Sequence, residues 1–375
     1  MKPLEGIRVV DFGRVLSVPY GTMQLADLGA DVVKIEHPEY GDDTRSFGPP
    51  FVRDVSTYFV SINRGKRSVA LDLKNAADVN FVKQLIRVAD VVVENFRPGV
   101  MKKLGLDFAT VSKDHPRLVY CSLSGFGQDH PEKPGYDLMM QGLSGIPSIT
   151  GPVDGEPFKC GASIADLIAG HNVTQGILAA LFRRERTGKG GYIDVSMMDG
   201  MLSLLTYHAS AYVNAGQEPS RRGNAHPSIH PFQPYECSDG YLTICVGNDR
   251  LFTGLSTALG HPEWAEDVRF LTNANRVHHR DELDQLIKPL FLRKTKSEWR
   301  DTLNEHGVPS DIVATIPEAL QYATWAEHPH PDGTSMVKSL IGAYRLDGEI
   351  PLAERRSPRL GEHRAEIMGD WIGEK

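Results

Sequence analysis

The chain has 375 residues, with 41 Lys and Arg against 48 Asp and Glu and a formal net charge of −7. That length can bury a large core and predicts two domains, while the acidic balance and mixed signs argue against nucleic acid as a partner. No apolar run approaches the ~18 residues of a membrane span and no signal-like segment precedes the first strand, so a cytoplasmic protein without a membrane partner is expected.

In chain order, residues 7–12 read as a buried strand, 20–28 as a helix ending at Gly29, and 31–36 as the next strand. Residues 68–73, 75–89 and 91–96 repeat strand, helix, strand, and 118–126 supply another strand. This alternation predicts an α/β, Rossmann-like large domain with a mainly parallel sheet. One glycine, Gly13, stands where a dinucleotide fingerprint has three, and no phosphate-binding P-loop occurs. A helix over 164–186 ends in basic residues and Gly188, followed by a strand over 192–197 and a helix over 198–214. A hairpin is expected over 232–246 across Asp239-Gly240, then helices to about Asn304 and an extended piece over 308–314.

The expected division is a large domain over 1–205 plus 333–375, a linker over 206–226, a small α/β domain over 227–318, and a return linker over 319–332. Cys121, Cys160, Cys237 and Cys245 are widely spaced, which indicates neither a zinc site nor a disulfide framework. Glu327-His328-Pro329-His330-Pro331 reads as a loop and no metal site is expected, because no third ligand is near.

Asp166 is the residue on which function turns, a carboxylate among small and apolar neighbours in the first turn of helix 164–186. Ser163 with Asp166 three residues on has capping-box spacing, so a structural cap and a nucleophile are both open readings.

Further segments define a pattern: Leu4-Glu5-Gly6-Ile7-Arg8-Val9-Val10-Asp11, Leu28-Gly29-Ala30-Asp31-Val32-Val33-Lys34-Ile35-Glu36, Asn63-Arg64-Gly65-Lys66-Arg67-Ser68, Glu94-Asn95-Phe96-Arg97-Pro98-Gly99, Ser124-Gly125-Phe126-Gly127, Gly135-Tyr136-Asp137 and Gly188-Lys189-Gly190-Gly191. In this order and spacing they resemble the family III CoA-transferases (CaiB/BaiF type), which include formyl-CoA transferase and related 2-methylacyl-CoA racemases. The resemblance implies Asp166 as covalent nucleophile and an interlocked homodimer. It implies an acyl-CoA and a carboxylic acid as substrates, with coenzyme A arriving as a thioester and no permanently bound cofactor.

Tyr136 stands thirty residues before Asp166, where racemases of this group carry histidine. A phenol, ordinarily titrating near ~10, is a poor base at neutral pH and favours transfer over racemisation. The resemblance further implies Leu16, His37, Lys66, Asn95, Phe96, Arg97 and Lys103 as the CoA-binding surface. Leu16 replaces a glutamine and His37 a basic residue of formyl-CoA transferase, and its run of four glycines is absent. The segment around Arg222 resembles succinyl-CoA-dependent dicarboxylate transferases instead. Arg14, Arg45 or Arg222 would then hold a distal carboxylate. Gly142, Gly145 and Gly161 are candidate oxyanion donors, and Ala162, Ala165, Ala169 and Gly170 would leave room for a thioester. The alternatives are an acyl-CoA racemase and a non-catalytic CoA-binding scaffold in which Asp166 only caps its helix.

Overall fold

A computed structural model describes residues 2–373. Six strands, β1 (Arg8–Asp11), β2 (Asp31–Glu36), β3 (Lys66–Ala70), β4 (Val91–Glu94), β5 (Val119–Ser124) and β6 (Gly191–Ser196), form a wholly parallel sheet. Their order is β3-β2-β1-β4-β5-β6. Strands β2 and β4 are short Val- and Ile-rich runs buried on both faces, as helix-covered parallel sheets require. The order reverses between β1 and β4, and ligands of such sheets bind in the crevice beyond the strand ends at that reversal.

Two apolar layers cover the sheet. One is built on α1 (Ser17–Asp27) and α5 (Ile164–Thr187) and includes Val18, Leu25, Ala165, Ala169 and Val173. The other is built on α2 (Ala76–Val88) and is completed from the C-terminal segment by Ile367 and Trp371. Trp371 Nε1 donates to Asp31 Oδ2 at 2.7 Å, anchoring that segment to β2. The helix α1 starts three residues before the expected position because Leu16 O accepts from Tyr20 N at 2.8 Å. α5 ends at Gly188, whose φ of 71° suits glycine and whose N–H reaches Arg184 O at 2.8 Å.

Where α1 crosses α5, the backbones nearly touch. A Cβ on Gly170 would lie 2.6 Å from Ser17 O, and one on Gly21 would lie 2.7 Å from Gly170 O. Ala165 and Ala169 are fully buried in the same layer. The small residues around Asp166 therefore serve helix packing, and Ala165, Ala169 and Gly170 do not open space for a substrate.

The chain divides into two compact units, the first comprising the chain to Ile146, Lys159–Val213 and the chain from Thr324 onward. The second comprises Pro147–Phe158 and Asn214–Ala323. The segment expected as a linker from residue 206 begins as a helix, Thr206–Ala215, separated from Met197–Ser203 by a break at which Thr206 has φ 31°. In the second unit, Phe232–Cys237 and Gly240–Cys245 form the expected hairpin, with Ser310–Ile312 added antiparallel to the latter. Its core gathers Tyr235, Leu242, Ile244, Phe252, Phe291 and Trp299.

The histidine-proline stretch is not a loop throughout, because Trp325–Pro329 pairs with Met336–Leu340 as a hairpin. His328 Nε2 meets Ala353 O at 2.8 Å and His330 meets Asp332, while no metal-ligating cluster occurs among the described residues. The four cysteines are free, and no helix among the described residues is long and apolar enough to cross a membrane.

Candidate active site

The crevice at the β1/β4 reversal is built by a clip between the two loops that leave those strands. Asn95 Oδ1 accepts from Arg14 N and Asn95 Nδ2 donates to Arg14 O, both at 2.9 Å. Val15, next in the chain, has φ 64°, a left-handed conformation that costs a β-branched residue on the order of 1–3 kcal/mol. Its amide donates to Asp42 Oδ1 at 3.3 Å.

The clip borders a cleft of about 700 Å³ lined by both Asp166 and Tyr136, with Arg14, Asn95, Phe96 and Arg97 also on its walls. Six of the residues singled out in the sequence thus share one space. Arg14 and Phe96 also line a smaller cavity of about 140 Å³ with His37 and Tyr40, whose rings stack at 3.8 Å. Leu71, Leu73 and Lys74 complete this second space. Nothing in the sequence marks these three, because they follow β3 as an unremarkable strand end.

Asp166 does not cap its own helix. Ser163 makes no side-chain cap bond, so the capping box does not form. Asp137, at the start of α4 (Asp137–Leu143), supplies the cap instead, its Oδ1 accepting from Ala165 N at 2.9 Å and Asp166 N at 3.4 Å. Gln141, fully buried, donates to Asp137 Oδ2 at 2.8 Å and accepts from Cys160 N at 2.8 Å, locking the loop before α5. The Asp166 carboxylate is left to the cleft.

Burial and the neighbouring Asp137 carboxylate push Asp166 up to about 6, opposed by a hydrogen bond from Ser17. Above that pH it is an incompletely hydrated anion, a better nucleophile than a fully solvated carboxylate. Tyr58, on the short helix Thr57–Ile62, belongs to the same electrostatic neighbourhood. Burial and the charges of Asp166, Asp137 and Asp42 raise its phenol to about 12, which keeps it a hydrogen-bond donor at neutral pH. Tyr58 lies in a segment without a distinguishing motif. Tyr136 is 65% exposed, which excludes a buried structural role.

Several expected binding residues are engaged elsewhere. Lys66 is fully buried, its ammonium directed to Asp11 Oδ2 at 3.0 Å, Pro19 O at 2.9 Å and Asn63 Oδ1 at 3.0 Å. All three donors are spent, so Lys66 is unavailable to a phosphate. Arg45 donates to both oxygens of Glu36 at 2.7 Å and stacks on Phe59, which takes it from the acyl carboxylate. The Leu16 side chain is buried at the start of α1, while its neighbours Val15 and Ser17 line the cleft. Lys103 is exposed on α3 (Val100–Leu104) and lines neither space. Arg222 is exposed in the second unit. Arg14 does line the cleft, held by Asp43 at 2.8 Å and 3.0 Å.

Gly142, Gly145 and Gly161 do not line the cleft; Gly125 and Gly135 do. Those two pack so closely that a Cβ on Gly125 would lie 2.8 Å from Gly135 Cα. They bring backbone to the wall of the cleft that Asp166 also lines.

Residues 4–364 match the model of CoA-transferase family III, and the chain belongs to that family. It is an enzyme of the CoA-transferase class. It is 40% identical to succinyl-CoA:glutarate CoA-transferase of Mus musculus, over 99% of this chain and 87% of that protein. It is 43% identical to acetyl-CoA:oxalate CoA-transferase of Acetobacter aceti, over 84% of this chain and 82% of that protein. A CaiB/BaiF family protein from Brucella suis superposes with a TM-score of 0.87, at 39% identity and 99% coverage of both chains.

Proposed function

We propose that the chain moves CoA from succinyl-CoA to a dicarboxylic acid of glutarate type, with Asp166 as covalent carrier. The observation that carries this reading is the placement of Asp166, uncapped by its own helix and raised to about 6, on the wall of a cleft large enough for an acyl-CoA end and an acid. Near-full coverage by a succinyl-CoA:glutarate transferase supports the substrate pair. Likeness to the oxalate enzyme over a smaller share of the chain makes the shorter acid the second reading.

The Asp166 carboxylate attacks the thioester carbonyl, and the tetrahedral oxyanion collapses to a mixed anhydride by expelling CoA thiolate. The thiolate attacks the aspartyl carbonyl, releasing succinate and forming an aspartyl-CoA thioester. The acceptor carboxylate then attacks that thioester, expelling thiolate and leaving an aspartyl–acceptor anhydride. Finally the thiolate takes the acceptor acyl group and Asp166 is regenerated. Each step exchanges one activated acyl bond for another, so the cycle balances without ATP or a resident cofactor. Tyr136 and the Tyr58 phenol are proposed as donors to carboxylate or oxyanion oxygens, with backbone N–H groups near Gly125 and Gly135.

Asn95, Phe96 and Arg97 would border the pantetheine arm, and the His37–Tyr40 stack with Leu71 and Lys74 would receive the adenine. Arg14 or Arg97 would meet the acceptor's distal carboxylate. A homodimer, with interlocked chains, is proposed on the resemblance and on exposed apolar side chains of the first unit, including Leu138 and Leu143 of α4 and Val213. Light scattering showing a monomer would remove that part. A cytoplasmic location, with its acyl-CoA pool, is proposed with it.

The test is incubation with succinyl-CoA, hydroxylamine trapping and mass spectrometry of the Asp166 peptide. A hydroxamate at Asp166, and no transfer by Asp166→Ala, are expected. An Asp166→Ala enzyme that transfers at the wild-type rate would sink the assignment. Incorporation of solvent deuterium at the acyl α-carbon would instead establish a racemase.

A further inference from the structure

Beside the cleft, next to α3 and the short helix Phe108–Val111, lies a second cavity of about 290 Å³ that shares Arg97 with the cleft and whose other lining residues the transfer chemistry does not use. One wall is aromatic. Phe108 and Tyr192 stack at 5.4 Å and 30°, Tyr120 lies 6.1 Å from Tyr192, and Tyr192 remains 41% exposed toward whatever enters. Flat aromatic walls of this kind bind planar rings by stacking, worth about 1–3 kcal/mol per base in nucleic-acid sites.

The polar lining is incomplete. The Gln128 side-chain nitrogen is buried and has no hydrogen-bond acceptor, although the Gln128 backbone N–H is held by Asp194 Oδ2 at 2.9 Å. A buried donor left unpaired is destabilising, and a ligand acceptor would recover that loss. Glu94, only 3% exposed, accepts from Phe96 N at 2.8 Å and is hydrogen-bonded by Ser122. Burial pushes Glu94 up to about 7, so it can face either a donor or an acceptor edge near neutral pH. Arg97 and Lys102 also line the cavity, with Asp107.

We propose that this cavity is a second ligand site, for a nucleoside monophosphate: the base stacks on Tyr192 and presents its edge to Gln128 and Glu94, and the phosphate meets Arg97 and Lys102. Stacking surface, an unpaired donor, a buried carboxyl and two cations are complementary to the ring, edge and anion of such a ligand. None of these features depends on the role of Asp166.

Photolabelling with 8-azido-AMP, followed by peptide mapping, separates this site from the proposed adenine pocket near His37 and Lys74. The expected result is saturable labelling on peptides containing Phe108, Tyr120 or Tyr192. Unlabelled AMP should suppress it, inorganic phosphate at equal concentration should not, and Gln128→Leu should reduce it at least about tenfold. Tyr192→Leu serves as a second variant at a partly exposed position, with thermal unfolding checking that both variants fold. Labelling confined to peptides bearing His37 or Lys74 would overturn the proposal. So would labelling that phosphate suppresses as well as AMP does, or that neither variant changes.

Discussion

Asp137 Oδ1 accepts from the backbone N–H of Ala165 at 2.9 Å, so the carboxylate twenty-nine residues before Asp166 closes the end of the helix on which Asp166 stands. One group thereby does two things to Asp166. It occupies the helix-end donors that would otherwise draw the Asp166 carboxylate inward, and its charge raises the pKa of the residue it frees.

The two effects separate on substitution. Asp137→Asn keeps an oxygen for the Ala165 amide but removes the charge, so Asp166 should ionise at lower pH and the acidic limb of kcat/KM should move below about 6, with a loss of stability limited to the Oδ2 acceptor that Gln141 no longer has. Asp137→Ala removes the cap as well and should cost about 1 kcal/mol in stability. Unfolding by urea and a pH–rate profile on both variants measure the two terms. An acidic limb that stays in place in Asp137→Asn would show that Asp166 does not feel this charge.

Asp166 itself should link activity and stability in opposite senses. Its folded-state pKa lies above its ordinary value, so the fold prefers the protonated form, and stability is lost as pH rises from the ordinary carboxylate range through about 6. Under the proposed mechanism transfer uses the ionised form and should rise through the same interval. Asp166→Asn should abolish transfer yet be more stable than wild type at pH 7, by on the order of 1–2 kcal/mol after solvent screening. The gain should shrink as pH falls through 6 and vanish below the ordinary carboxylate range. A variant no more stable than wild type at pH 7 would contradict the burial cost.

Much of this is legible in residue order. The parallel sheet follows from short Val- and Ile-rich runs alternating with amphipathic helices, and Asp166, Tyr136 and Asn95 stand out in the sequence although only the fold shows them converging. Local spacing misleads at Ser163, where the capping pattern is present but the amide goes to Asp137, a tertiary contact that no window around residue 163 contains. It misleads again at Lys66, a lysine beside a turn glycine whose burial depends on Asp11 lying two strands away in the sheet. Leu71 and Lys74 carry no motif, and only the topology brings them to the crevice, as it brings Tyr58 into the field of Asp166.

Lys66 and Lys74 therefore exchange roles in the mutational expectations. Lys66→Met leaves Asp11 as a fully buried charge without its nearest cation and should cost about 3–5 kcal/mol. CoA-thioester KM of the folded fraction should change little. Lys74→Ala, in the lining of the smaller cavity, should leave the unfolding midpoint in place and raise that KM several-fold, about 1 kcal/mol of lost contact with the adenine end, with kcat unchanged. The opposite pattern, a KM defect in Lys66→Met with full stability, would restore Lys66 to the ligand.

Gly170→Ala tests whether the α1–α5 crossing positions Asp166, the proposed nucleophile. In a helix interior, alanine is preferred over glycine by about 1 kcal/mol, so propensity alone predicts stabilisation. The new Cβ, however, would lie 2.6 Å from Ser17 O, a backbone atom that cannot turn aside, and overpacking of that kind costs roughly 1–3 kcal/mol. The clash should win. Because Ser17 also hydrogen-bonds Asp166, the same displacement should lower kcat and shift the acidic limb of the pH profile upward. Gly142→Ala is the control, a helical glycine with nothing within 4 Å of the added Cβ, where propensity should act unopposed and stability should rise. Thermal unfolding of the pair reads the sign directly: Gly170→Ala stabilised as much as Gly142→Ala would mean that the helices separate without cost and that the crossing does not hold Ser17 against Asp166.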